Sequence, residues 1–176
     1  AEFTKHDLSY NTSRLDRILS YFGLLQKIDH KEKSKYLYFS AETLYSVHEF
    51  PRALTSYKAA IEADIVNKSK IEIDIKLKSV DAIFSCIDFS KLNKKDESIE
   101  LEYAYNKYIQ IWPKGDKAQK IYPKLFSLYL FQKRFNNTQN TIDKYISAFP
   151  KDADVQKNLF NQQMDMLIKN KKSEII

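Results

Sequence analysis

Apolar side chains recur along most of this chain at intervals of three and four residues, which places them on one face of an α-helix. The pattern predicts about eight helices joined by short polar connections. The first helix is expected to begin after the capping residues Asn11-Thr12-Ser13 and to end near Ile28, with residues 1–11 frayed. The isoleucines at 71, 73 and 75 alternate briefly as in a strand, but helical spacing then resumes. We therefore predict one long helix that ends at about Ser90.

One stretch of the sequence occurs twice. Residues 107–120 and residues 144–157 carry closely similar residues in the same order, 37 positions apart and without a gap. In each copy an apolar stripe leads to an aromatic-proline pair, Trp112-Pro113 or Phe149-Pro150. The pair predicts the end of a helix, because proline has no N–H and disfavours a helical residue before it. A period of this length is typical of stacked helical hairpins.

These patterns divide the chain into an N-terminal helix, three helical hairpins and a final helix. The segments are residues 1–33 for the N-terminal helix, 34–67, 68–115 and 116–151 for the three repeats, the second of them extended, and 152–170 for the C-terminal helix. The predicted fold class is all-α, built from antiparallel helical hairpins. The chain is expected to be either a single domain or a fragment of a longer repeat array.

Four local features are also predicted. The extended repeat is expected to connect its helices through residues 91–96, so that its second helix begins near Glu97 with Ile99 facing inward. Residues 134–137 are predicted to form a turn, and the tail from Lys169 is expected to be loose. Pro123 lies inside a predicted helix, so a kink or a late start of that helix is expected.

The second helix of the 34–67 hairpin carries a distinctive spacing of small and aromatic residues. Ala53 and Ala60 allow two helices to approach closely, and Tyr57 fills the space between them. This spacing resembles the tetratricopeptide repeat, a family whose hairpins stack into a right-handed superhelix. The sequence departs from the family at Ala41, where the family has glycine, and at the repeat end, which lacks proline. The resemblance implies a non-catalytic scaffold that binds other proteins.

The two late repeats resemble a narrower group of proteins. They place Tyr108 and Tyr145 where the ordinary tetratricopeptide pattern has alanine, and isoleucine and an aromatic-proline pair follow. These residues are similar to repeats of bacterial cell-envelope proteins, the outer-membrane assembly lipoproteins and the Tol–Pal coordinator among them. The resemblance implies a role in a bacterial envelope or motility complex, located in the periplasm or cell envelope, with the cytoplasm as the alternative.

The formal charge of +6 is concentrated in residues 91–135, which contain ten basic and five acidic residues. Two lysine clusters produce this excess, and we define them together as the basic patch: Lys91, Lys94 and Lys95 in the first, and Lys114, Lys117, Lys120 and Lys124 in the second. Such a patch is either a solvated surface or a site for an acidic partner. Nucleic acid is therefore the alternative partner.

The sequence offers no group of residues suited to catalysis. Its three histidines are isolated, and two glycines cannot form a phosphate-binding loop. Glu97, Glu100 and Glu102 lie at a predicted helix start, where negative charge suits the helix dipole. Cys86 lies among apolar residues and is predicted to pack in the core. We expect no enzyme activity, no cofactor and no metal, and no segment has the apolar length of a membrane span.

The expected function therefore lies on the helix surfaces. In tetratricopeptide arrays the first helices of successive hairpins line a groove that receives a peptide or helix of a partner protein. The resemblance places the following residues in that groove: Lys35, Tyr38, Glu42, Tyr45, Lys120, Ser127, Leu130, Lys157, Phe160 and Met164. Aromatic residues beside lysines suit a peptide with acidic and apolar positions. Alternatively, Phe160 and Met164 cover the end of the core or pack on further repeats.

Overall fold

The computed structural model describes residues 5–63 and 70–173, and every regular element within them is helical. The predicted all-α class is confirmed. The helices are α1 (Lys5–Ile28), α2 (Lys33–Ser46), α3 (Phe50–Glu62), α4 (Lys70–Ser90), α5 (Lys94–Ile111), α6 (Ala118–Phe131), α7 (Phe135–Ala148) and α8 (Ala153–Ser173). A 3₁₀ turn at His30–Glu32 joins α1 to α2. The predicted repeat end at residues 64–67 lies outside the described residues.

The two outermost helices are longer than the sequence prediction. α1 begins at Lys5, so residues 5–11 are helical and the prediction that they fray is wrong. α8 continues to Ser173, so the tail from Lys169 to that residue is helical rather than loose. No glycine or proline follows Pro150 to end this helix.

Two internal helices also begin earlier than predicted. α5 begins at Lys94, which places Asp96 and Glu97 in its first turn, where carboxylates suit the helix dipole. Ile99 is exposed, so its predicted inward position is wrong, because α5 buries its apolar face only from Ala104 onward. α7 begins at Phe135, so the turn before it is limited to residues 132–134.

Pro123 lies in the interior of α6, which starts at Ala118. The proline therefore does not delay the helix. Because proline has no N–H, the carbonyl of Gln119 receives no helical hydrogen bond from it.

The chain divides into two compact units, Ala1–Asn93 and Lys94–Ile176. The division falls inside the predicted repeat 68–115, between α4 and α5. α4 packs on α3 and α2 in the first unit, whereas α5 packs on α6 in the second. The pairing of α4 with α5 in one hairpin and the superhelical arrangement stay predictions.

The core of the first unit lies where α2, α3 and α4 meet. Ala41, Ala53 and Ala60 are completely buried and allow these helices to approach closely. Tyr57 is also completely buried, as its spacing between the two alanines of α3 predicts. Pro51 occupies the first turn of α3, where its missing N–H costs no hydrogen bond.

A buried lysine donates hydrogen bonds to carbonyls at the C-terminal end of α3. The Nζ of Lys76 on α4 donates hydrogen bonds to the carbonyl of Ile61 at 2.5 Å and to that of Ala63 at 2.8 Å. A helix C-terminus carries carbonyls without helical partners and partial negative charge, so a cation is favourable there. Lys76 therefore links α4 to the end of α3.

The helices of both units pack in the same pattern. Consecutive helices contact one another, and the second and fourth helices of each unit also touch, α2 with α4 and α6 with α8. Among the described residues, α1 and α3 make no contact, and neither do α5 and α7. Each unit thus has two helices side by side in one layer and two separated helices in the other.

The two copies of the repeated stretch use different residues at the same helix end. In the first copy, a Cβ added to Gly115 would lie 2.8 Å from two ring atoms of Trp112. In the second copy, 37 positions later, Phe149 replaces the tryptophan and Asp152 replaces the glycine. The larger aromatic residue accompanies the smallest residue, because both occupy the same limited space.

Candidate partner-binding surfaces

Four predicted groove residues lie on α2, and two of them, Tyr38 and Glu42, also contact α3. Lys35 forms an exposed ion pair with Glu32 at 3.3 Å. Tyr38 and Glu42 instead meet Tyr57 of α3: the Tyr57 hydroxyl donates to Glu42 Oε1 at 2.5 Å, and the ring centroids of Tyr38 and Tyr57 lie 6.0 Å apart. Glu42 therefore serves the packing of α2 on α3.

Burial and the nearby Glu42 carboxylate raise the pKa of three neighbouring side chains. Burial, followed by the hydrogen bond to Glu42, raises the pKa of Tyr57. Burial and then the charge of Glu42 raise the pKa of Tyr38. The same two causes raise the pKa of the completely buried Cys86 to about 11. The thiol is therefore protonated at neutral pH and lacks the thiolate that a reactive cysteine requires.

Tyr45, the fourth predicted residue of α2, belongs to an aromatic cluster at one end of the first unit. Its ring centroid lies 5.3 Å from that of Phe50 and 6.4 Å from that of Phe89, and Phe50 and Phe89 stack at 5.2 Å. Sequence analysis did not select Phe89, because it lies near the end of the long α4 and no motif marks it. The cluster joins the end of α2 and the start of α3 to the end of α4.

In the second unit, α6 and α8 bring the remaining predicted residues onto one surface. Short connections make α6, α7 and α8 alternate in direction, so α6 and α8 run parallel and in contact. Their exposed sides carry lysines near the helix starts and apolar residues near the ends. We name this surface the α6–α8 face and define it by Lys120, Lys124, Ser127, Leu130 and Phe131 on α6 and Lys157, Phe160, Met164 and Ile168 on α8.

The apolar part of the α6–α8 face is well exposed. The exposed fraction is 85% for Phe131, 52% for Phe160, 41% for Met164 and 50% for Ile168. Phe131 and Ile168 were not predicted from the sequence as members of the face. The 37-residue period could have found them, because it aligns Phe131 with Ile168 as it aligns Lys120 with Lys157.

The same alignment identifies which side of α8 these residues occupy. Phe160 and Met164 align with Pro123 and Ser127, which lie on the open side of α6. Two buried residues of α6 have polar, exposed counterparts on α8: Ile121 aligns with Asn158, and Leu125 aligns with Gln162. Tyr122, which contacts α7, aligns with the buried Leu159 instead.

A hydrogen-bond network centred on Asp152 fixes α8 beside α6 and α7. Its carboxylate accepts bonds from Tyr145 Oη at 2.5 Å, from Gln119 Nε2 at 2.8 Å and from the backbone N–H of Val155 at 3.4 Å. The Tyr145 bond first, and then the Gln119 bond, lower the pKa of Asp152. Burial and the same bond to Asp152 raise the pKa of Tyr145. The arrangement holds the three helices in one register.

Lys91 of the basic patch follows α4 in the first unit, and the other six lysines belong to the second. Within the second unit the six lysines do not lie together. Lys94 and Lys95 open α5, whereas Lys114 and Lys117 follow its far end. The length of α5 separates these groups by about 25 Å, at 1.5 Å per residue. Only Lys120 and Lys124 of the patch join the α6–α8 face.

A second surface of this unit is an open groove, which sequence analysis did not predict. It lies between α5 and α7, above α6, and has a volume of about 790 Å³. We name it the α5–α7 groove. Tyr122, Leu125 and Tyr129 of α6 form its floor, and mostly polar residues of α5 and α7 form its walls. Of the predicted residues, Lys114 alone among those described lines it.

No described group of three or more histidine, cysteine, aspartate or glutamate side chains is arranged to hold a metal ion. Among the described helices, none is both long and apolar enough to cross a lipid bilayer. No protein-family model matches the sequence, and a search of curated proteins finds no significant relative.

Proposed function

We propose that this chain is a tetratricopeptide-like scaffold that binds a segment of another protein on the α6–α8 face. The observation that carries the proposal is the parallel contact of α6 and α8, whose exposed sides repeat the same order of lysine and apolar residues. The shared packing pattern of the two units supports the repeat assignment. The buried Ala53, Tyr57 and Ala60 support it as well.

The residues of the α6–α8 face indicate the chemistry of the partner. Lys120, Lys124 and Lys157 favour carboxylates at the end where both helices begin. Phe131, Phe160 and Met164 offer apolar area to a segment that lies along the helices. Exposed aromatic side chains and methionine are characteristic of binding centres. We therefore propose a peptide or helix that carries acidic residues at one end and apolar residues at the other.

The direct test selects random linear peptides displayed on phage against the complete chain and measures the binding of synthetic peptides by fluorescence polarisation. We expect selected peptides to contain acidic and apolar residues. The double variant Lys120→Glu/Lys157→Glu should weaken their binding by about tenfold or more, since each lost charge contact at an interface costs of order 1 kcal/mol or more. Phe160→Ala should weaken it by a similar factor.

The matched control is Lys169→Glu, which reverses one exposed lysine on the opposite side of α8. Its affinity should stay within about twofold of wild type. A loss in the control that equals the loss per reversed charge in the double variant would show an effect of net charge alone. Peptides that bind all variants equally would contradict the assignment of the α6–α8 face.

A bacterial cell envelope is the proposed location, and a complex there is the proposed setting. The similarity of the late repeats around Tyr108 and Tyr145 to envelope proteins supports it. Fractionation of the source cells with an antibody to this chain tests the location. Recovery of the protein in the cytoplasmic fraction alone would reject it.

A further inference from the structure

The α5–α7 groove differs chemically from the α6–α8 face, since its walls carry amides and hydroxyls rather than a row of lysines. We propose that it binds an extended, uncharged segment of another polypeptide by hydrogen bonds to the backbone of that segment. The residues that carry the inference are Asn106, Gln110, Tyr122, Asn137 and Asn140.

Amide side chains match a peptide backbone because each combines an N–H donor and a carbonyl acceptor, as a peptide group does. Asn106 uses its Nδ2 on the carbonyl of Glu102 at 2.9 Å and on the Tyr129 hydroxyl at 2.8 Å. These bonds orient the amide of Asn106. Within the described part of the chain, the side chains of Gln110, Asn137 and Asn140 bond to no protein group.

The floor supplies a tyrosine hydroxyl. Tyr122 has an exposed fraction of only 1%, and its ring is held edge-on against Tyr145 and Phe149 at centroid distances of 5.5 and 6.2 Å. Its hydroxyl bonds to no protein group among the described residues. Burial raises the pKa of Tyr122, so the phenol keeps its proton and can donate it in a hydrogen bond. This hydroxyl is therefore available to a ligand that lies on the floor of the groove.

The dimensions suit a short extended segment. The wall on α7 runs from Asn137 to Ala148, a length of about 16 Å at 1.5 Å per residue. An extended chain advances about 3.3 Å per residue, so about five residues fit. Lys114 and Lys144 are balanced in part by Asp143, so the groove does not require a strongly charged ligand.

The amide lining is not a general result of the helix packing. The corresponding groove of the first unit lies between α1 and α3, above α2, and has a volume of about 570 Å³. Its lining includes Leu19, Leu37, Leu44 and Pro51, with Gln26 as its single side-chain amide among the described lining residues. Among the residues that the structure describes, the groove of the second unit therefore has four side-chain amides, whereas that of the first has one, together with aliphatic residues, hydroxyls and an arginine.

The test uses random linear peptides selected on phage against the complete chain, in a search for peptides that bind independently of the α6–α8 face. Asn140→Trp fills the groove with an exposed residue of α7, and Ile146→Trp places the same side chain at an exposed position of α7 outside it. We expect a class of peptides that loses at least about tenfold in affinity with Asn140→Trp and stays within about twofold with Ile146→Trp. Far-UV circular dichroism verifies that both variants fold.

Two further readouts identify backbone recognition. Methylation of backbone nitrogens in the bound peptide should abolish binding, because it removes the N–H donors while keeping the side chains. Affinity should change little between about 50 and 200 mM salt, unlike binding that depends on several charge contacts. The Lys120→Glu/Lys157→Glu variant should bind these peptides normally, which separates this inference from the proposed function.

Absence of any selected peptide sensitive to Asn140→Trp would overturn the inference. Retained binding of the methylated peptides would also overturn it, since side chains alone would then explain recognition. An array of oligosaccharides provides the competing ligand, because amides and hydroxyls also bind sugars. Binding of a sugar that Asn140→Trp removes, without peptide binding, would assign the groove to carbohydrate instead.

Discussion

Replacement of Gly115 by alanine tests the packing at the first copy of the repeated stretch. The added Cβ would lie 2.8 Å from two ring atoms of Trp112 and 3.0 Å from the Tyr108 hydroxyl, whereas ordinary contacts begin at 3.4 Å. The backbone φ of Gly115 is not positive, so alanine meets no conformational barrier there. The expected effect is therefore steric.

The magnitude follows from two opposing contributions. Overpacking of a filled site costs about 1–3 kcal/mol, and the Gly→Ala change recovers about 0.4–1 kcal/mol through the unfolded chain. The free energy of unfolding of Gly115→Ala should therefore fall by about 1–2 kcal/mol. With an m-value of about 2 kcal/mol/M, the urea midpoint should drop by about 0.5–1 M. Trp112 is the single tryptophan, so its fluorescence reports this transition directly.

A double-mutant cycle with Trp112→Ala tests the cause, because this change removes both ring atoms that the added Cβ would approach. In the Trp112→Ala background, measured by far-UV circular dichroism, the cost of Gly115→Ala should shrink by about half or more. An equal cost in both backgrounds would show that the tryptophan ring is not the cause. A neutral Gly115→Ala would refute the steric argument altogether.

Two further predictions concern titratable groups. Tyr145→Phe should lower the free energy of unfolding by about 1 kcal/mol. The same change should raise the pKa of Asp152 in an NMR titration, since the bond from Tyr145 is the main cause of the low pKa of Asp152. Tyr108→Phe is the control at the corresponding position of the repeat and should cost less, because the Tyr108 hydroxyl accepts only a 3.4 Å bond. Burial raises the pKa of the Cys86 thiol from 9.0 to about 11. The buried thiol therefore contributes its full stability below the pKa of the unfolded chain, and this contribution is lost as the pH rises from 9.0 to about 11. The unfolding free energy of wild type should fall more steeply there than that of Cys86→Ala, and parallel pH profiles would contradict the assignment.

The sequence predicted the fold class because helical spacing and scarce glycine and proline indicate the same structure. The long α4 was predicted for this reason, despite the alternating isoleucines. Helix ends were less accurate. Capping residues near Ser13 predicted a start that α1 does not use, because side chains that cap a helix also tolerate its interior when the apolar stripe continues.

The candidate surfaces were predicted unevenly for a physical reason. The resemblance to the tetratricopeptide repeat selected Lys120, Lys157 and Phe160, because it assigns the groove to the first helices of successive hairpins. Glu42 is exposed, and it also accepts the hydrogen bond of Tyr57, a residue from another helix that sequence spacing does not connect to it. The α5–α7 groove was missed because three helices must pack before its lining residues meet.

The aligned packing of α6 and α8 has a consequence for engineering and for evolution. A duplicate of residues 114–150, inserted directly after Pro150, would return the chain to the same position in its period. The insertion would add another helix pair with its own copy of Lys120, Ser127 and Phe131, and would leave the residues that seat α8 unchanged in sequence. Modules of this kind allow a recognition surface to grow in whole steps, so partner length can change without redesign of the existing protein.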